Sequence, residues 1–134
     1  MDLQVFIVKL IQLAPGLLLA VVFHEYAHGW MAKRFGDDTA EKAGRLTLNP
    51  IPHIDLMGTI IVPSVLLLFF NGLFGWAKPV PVRPRNFSDI NKGQFWVSFA
   101  GPIANFLLAT ASAFLLALCS VSYTHLTLPT KRIV

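Results

Sequence analysis

Residues 24–28 read His-Glu-Tyr-Ala-His, and no other run in the chain is better equipped for chemistry. On an α-helix, positions four apart differ by about 40° around the axis and by about 6 Å along it. Two imidazoles at that spacing can close on one metal ion. Glu25 lies about 60° around the axis from His28, close enough to reach a water beside the ion without ligating it. Two histidines and a carboxylate so arranged form the donor set of a zinc hydrolase. The expected roles are Zn2+ ligation by His24 and His28, and proton abstraction by Glu25 during attack on a peptide carbonyl. The plainer reading is that both histidines only hydrogen-bond between helices while Glu25 pairs with Lys33 or Arg34.

The elements around this run are apolar. Of the 134 residues, 54% are hydrophobic and 13% charged, whereas soluble domains carry roughly a quarter charged residues. Three apolar stretches stand out: Leu3 to Phe23, Leu56 to Trp76 and Phe95 to Cys119. Each approaches the ~20 residues that cross a bilayer core as a helix. Pro15-Gly16 interrupts the first, so a helix is expected from Pro15 to Gly36, with Leu3 to Leu13 either a separate half-helix or its continuation across a kink. Gly36 suits a C-terminal cap, and Lys33 and Arg34 suit the negative end of the helix dipole. Glu25 and two histidines inside such a helix are costly in lipid, which marks them as functional.

The net charge of +4 is scattered and forms no long basic run, which argues against nucleic acid and for lipid headgroups as its partner. Charge counting places the Lys33–Arg34 end on the cytoplasmic side. It does not decide whether Leu56 to Trp76 crosses the membrane or re-enters it. The single Cys119 permits no disulfide within the chain and is expected only to pack.

Two connecting segments carry further candidates. Arg45 to Leu48 (RLTL) looks strand-like and precedes a turn at Asn49-Pro50. His53 and Asp55 follow, with Asp55 placed to cap a helix starting at Leu56; a role beside the metal or in gating the site is the alternative. The Pro-x-Pro spacing after Lys78 forbids helix and suggests an extended run. This run, with Lys78, is either a plain connecting loop or an extended edge to which another strand could add. Gly101 and Asn105 share a face at i, i+4, so Asn105 is expected to hydrogen-bond between helices or to act near the site.

Together, HEYAHGWMAKRFGD, GRLTLNPIPHIDLMGT, GWAKPVPV and AGPIANFLLA resemble, in order, motifs of the site-2 protease family of zinc intramembrane metalloproteases, in its bacterial and archaeal branch. The likeness runs from about Pro15 to Ala117. It implies cleavage of a peptide bond in or beside a membrane, with His24 and His28 as zinc ligands and Glu25 as catalytic acid/base. It also implies a third ligand, an Asp in an Asp-Gly segment of a later helix. No Asp-Gly occurs in this sequence. The chain is therefore expected to be one ligand short and inactive by itself.

The expected fold is all-α and polytopic, with about three transmembrane or re-entrant helices. Residues 1–119 form the membrane-embedded metalloprotease core. Residues 120–134, with VSYTHLTLPT, look like a translated sequencing adapter and form a non-native tail. The expected partners are a membrane protein or peptide substrate and the lipid bilayer, and the expected location is a prokaryotic cell membrane. The alternative function is a zinc-binding membrane transporter or sensor without hydrolysis.

Overall fold

The computed structural model describes residues 3–72 and 74–127. Helix α1 (Leu3–Arg34) runs through Pro15 without a break, so the candidate half-helix is its continuation. Pro15 forfeits one hydrogen bond. A break would free several backbone groups on each side, with no water to satisfy them in apolar surroundings. Past Arg34 the chain turns at Gly36, whose φ is +101°. Gly36 N donates to Lys33 O at 3.0 Å and Asp37 N to Ala32 O at 3.0 Å. These paired bonds are a Schellman cap, which needs a left-handed residue at Gly36.

A short helix, α2 (Thr39–Lys42), follows. The strand-like Arg45 to Leu48 is a series of bends, and the described residues contain no strand. Its backbone is used locally instead: Asn49 N donates to Thr47 Oγ1 at 3.1 Å, and Thr47 O lies 2.9 Å from His53 Nε2. A lone strand also has no neighbour to pair with.

Asp55 opens the second apolar stretch as its cap, accepting from Met57 N at 2.9 Å and Gly58 N at 2.8 Å. One π-helical turn (Leu56–Ile61) leads into α3 (Val62–Phe70), which ends at left-handed Asn71. These 15 helical residues rise about 22 Å, short of the ~30 Å of a bilayer core. The chain then returns: Trp76 N donates to Gly58 O at 3.0 Å, and Lys78 N to His53 O at 3.0 Å. Leu56 to Trp76 is therefore a hairpin whose two ends meet, which brings both connecting segments to one side. Lys9, the only charge in the first stretch, donates to Asn71 Oδ1 at its tip, at 2.5 Å.

Helix α4 (Ile90–Thr127) is capped by Asp89, whose Oδ1 accepts from Lys92 N at 3.0 Å. It continues into the suspected tail as far as Thr127; residues 128–134 lie outside the described residues. Cys119 is exposed on it, not packed in a core as expected. The molecule is all-α, and α1 and α4 are long and apolar enough to cross a membrane. Few residues of their most apolar windows are fully buried among the described residues, and exposed apolar helix faces of this extent suit a hydrocarbon solvent.

Asp37 ties these elements together. Its side chain is fully buried. Oδ2 accepts from Arg83 N at 2.6 Å; Oδ1 accepts from Asn86 Nδ2 at 2.8 Å, from Thr39 N at 3.2 Å and from the Thr39 hydroxyl. Burial alone would raise the carboxyl's pKa, but these donors outweigh it and hold the group below its ordinary value. A depressed folded pKa stabilises the fold fully above the unfolded value, near pH 4, and the gain is lost as pH falls through the folded value. Asp37→Asn turns an amide N–H₂ toward groups that themselves donate. It should cost about 1–3 kcal/mol in detergent-solubilised melts. The parent should also lose more stability than Asp37→Asn on acidification below about pH 4; equal losses would rule out the ionised carboxylate as the tie.

Candidate metal centre

His24 and His28 point from one side of α1 at α4. Their Nε2 atoms lie 3.0 Å apart. Two nitrogens bound tetrahedrally to zinc at 2.0–2.1 Å would be separated by about 3.3 Å, so the pair needs to open only slightly. The space both nitrogens share is kept clear by a glycine of α4: a Cβ on Gly101 would lie 2.5 Å from His28 Nε2 and 2.6 Å from His24 Nε2. No other residue type fits there without moving a ring.

The far side of each ring is held by α4. His28 Nδ1 lies 2.6 Å from Val97 O. A carbonyl only accepts, so Nδ1 carries a proton, and in the neutral ring Nε2 then presents a lone pair. His24 Nδ1 faces Asn105 Nδ2 at 3.3 Å, while Asn105 Oδ1 is buried without a partner. Rotating this amide by 180° puts Oδ1 against His24 Nδ1–H, which satisfies the orphan oxygen and frees the Nε2 lone pair. Both rings then have the outer hydrogen bond that metal-ligating histidines usually have. Two imidazole nitrogens so placed could serve as two of the ligands of a zinc ion, which needs at least one more from the protein.

Glu25 accepts from Val80 N through Oε2 at 2.8 Å. Neither basic residue of the plainer reading pairs with it: Lys33 bridges to Glu41 at 2.8 Å, and the Arg34 guanidinium sits 4.6 Å from the Trp30 ring centre. A cavity of about 350 Å³ opens beside the site. Leu17, Ala20 and Val21 line it with His24, Glu25 and Asn105, and the returning arm contributes Gly75, Trp76 and Ala77. Lys78 is exposed just beyond that lining, its N–H on His53 O and its carbonyl receiving Arg45 Nη2 at 3.0 Å.

The remaining candidates stand apart. His53 is fully buried, bonded through Nε2 to Thr47 O, with Nδ1 unpartnered. Asp55 is occupied as a helix cap. Among the described residues, no group of three or more His, Cys, Asp or Glu side chains is placed to hold a metal. Sequence reasoning singled out Asn105, placed Gly101 on the same face without a role at the rings, and missed Val80 and Asp37. The available signals were the Gly101–Asn105 spacing and the two prolines flanking Val80, which leave it as the lone amide donor of residues 79–81.

No family model and no solved structure matches the chain. Two curated proteins do. It is 48% identical over 102 residues to "Putative zinc metalloprotease YwhC" of Bacillus subtilis, covering 76% of this chain and 43% of that protein. It is 35% identical over 94 residues to "Putative zinc metalloprotease Rip2" of Mycolicibacterium smegmatis, covering 70% of this chain and 35% of that protein. The chain thus spans less than half the length of either relative. By these likenesses it is related to bacterial proteins named as zinc metalloproteases.

Proposed function

We propose that the chain carries the two-histidine half of a zinc site in a site-2-type intramembrane endopeptidase of a prokaryotic cell membrane. The observation that supports this best is the convergence of the His24 and His28 Nε2 atoms over Gly101, with both Nδ1 atoms in contact with α4. The names of the relatives and the exposed apolar helices point the same way.

In this reading His24 and His28 ligate Zn2+, and Asn105 and Val97 O fix the tautomers of the two rings. Zinc held there would supply Lewis-acid polarisation of the scissile carbonyl and acidify the attacking water. Glu25 Oε1, the oxygen not engaged by Val80, takes a proton from that water as its oxygen bonds to the carbonyl carbon. The same carboxyl returns the proton to the amide nitrogen as the C–N bond breaks. The apolar wall of Leu17, Ala20 and Val21 keeps bulk water from the reacting groups. The substrate is a peptide bond of a membrane protein or peptide, entering the cavity beside Gly75 to Ala77. A catalytic zinc site needs three protein ligands; the third is an acidic residue outside the described residues, an aspartate by the resemblance.

Variants in a full-length protein separate the roles. His24→Ala or His28→Ala should remove zinc and cleavage together, whereas Glu25→Gln should abolish cleavage and keep the metal. A zinc-binding transporter or sensor predicts no Glu25-dependent cleavage at all. If Glu25→Gln lost zinc as fully as His24→Ala, the assignment of base and ligand would be wrong.

Gly101→Ala tests the space between the rings. Its methyl would occupy the volume that both Nε2 atoms face, so zinc affinity should fall by at least about tenfold while the helical circular dichroism stays unchanged. Unaltered affinity would place the metal elsewhere.

The 134-residue chain by itself should bind zinc weakly and cleave nothing, because both of its ligands sit on one helix. Zinc content and cleavage, measured beside a longer chain with a later Asp-Gly segment, check this. Stoichiometric zinc with Glu25-dependent cleavage by the 134-residue chain would mean that His53 or Asp55 moves in as a ligand.

A further inference from the structure

Pro79 and Pro81 have no N–H, so Val80 offers the only backbone donor in residues 79–81. That donor goes to Glu25 Oε2 at 2.8 Å. The Val80 side chain, only 7% exposed, packs onto α1 just beyond the histidine pair. Its place there depends on Gly29, where a Cβ would lie 3.1 Å from Val80 Cγ1, 3.2 Å from Leu46 Cδ1 and 3.3 Å from Ala40 Cβ. The segment is pinned on both sides of this contact. Lys78 N donates to His53 O, Arg45 Nη2 donates to Lys78 O at 3.0 Å and Pro79 O at 3.3 Å, and Arg83 N donates to Asp37 Oδ2 at 2.6 Å.

We propose that the Val80 amide is the positioning group for the general base: it fixes the Glu25 carboxylate by one oxygen and leaves the other aimed into the cavity. This rests on the proteolytic reading above. A glutamate has three rotatable side-chain bonds, and a base is effective only within hydrogen-bond reach of the proton it takes. An N–H donor to a carboxylate is a strong, directional contact. The flanking prolines limit the backbone rotation that would swing the donor away. Val80 acts through Glu25 and touches no reacting atom, so its loss should appear in kcat and not in KM or zinc content.

The test replaces Val80, in the zinc-loaded full-length protein, by its α-hydroxy analogue. The Pro79–Val80 amide becomes an ester: the N–H is lost, and Pro79 O becomes a somewhat weaker acceptor for its long 3.3 Å contact from Arg45 Nη2. The expected result is a drop in kcat of about ten- to a hundredfold, with KM and zinc content within about twofold of the parent. Val80→Ala, which keeps the N–H but loses the packing on Gly29, should lower kcat less than the ester does. Hydrogen exchange at the Val80 amide reads the same contact without catalysis: Glu25→Ala should speed it by at least about tenfold, and Glu25→Gln, which keeps an acceptor oxygen, should leave it protected. An ester variant with kcat within twofold of the parent, or Val80 exchange indifferent to Glu25→Ala, would overturn the proposal. Val80 protection that depends on Glu25, in a protein with no Glu25-dependent cleavage, would instead overturn the proteolytic reading, and with it the catalytic meaning of a contact that exists.

Discussion

Three polar side chains within five residues of an apolar helix must find partners where water is scarce. That requirement organises the rest of the molecule. A buried donor or acceptor without a partner costs more than a made hydrogen bond gains, and lipid supplies no partner. Helix α4 therefore brings a backbone carbonyl to His28 and an amide side chain to His24. The segment after the hairpin brings a backbone N–H to Glu25. Each partner comes from a part of the chain more than fifty residues away, so the site is assembled by tertiary contacts and not by its own helix.

Close approach is what makes those contacts possible. Helices in lipid gain little by burying apolar surface against one another and associate through packing and hydrogen bonds, which favours small residues at the contact. Gly101 lets the backbone of α4 reach the imidazoles, and Gly29 lets Val80 lie down on α1. The two glycines do opposite jobs. One keeps the space between two rings open, while the other leaves space that the protein itself fills.

The helix carrying His24, Glu25 and His28 was legible because its apolar run is local, and helix geometry alone puts the two imidazoles side by side. The Gly36 cap and the Asp55 cap were legible for the same reason, since caps are set by a few neighbouring residues. The continuity of α1 through Pro15 was not, because local propensity penalises proline and the compensating term lies in the surroundings. Arg45 to Leu48 has strand composition yet forms bends, because strand formation needs a partner that the sequence window does not contain. The hairpin at Leu56 to Trp76 was left open by charge counting. It is decided by long-range bonds, Trp76 to Gly58 and Lys78 to His53, that no periodicity records. Val80 escaped notice because its side chain is ordinary and the group that matters is its amide.

The two halves of the site are held with unequal security. The imidazoles rest against α4, whose own hydrogen bonds keep Val97 O in place whether or not His28 is there. Glu25 rests against a segment without regular structure, held by scattered backbone and side-chain contacts. Such segments open more easily than helices do. The orientation of Glu25 therefore depends on contacts far from it: the bond from Arg83 to Asp37 on one side, and those of Lys78 with His53 and Arg45 on the other. The full burial of Asp37 and its four donors follow from that dependence, because this is the anchor that relates the end of α1 to the segment reaching back to Glu25. A perturbation at Asp37 would reach the carboxylate of Glu25 more directly than the histidine pair, since residues 80–83 connect Asp37 to Glu25, whereas it meets the histidines only through the capped end of α1.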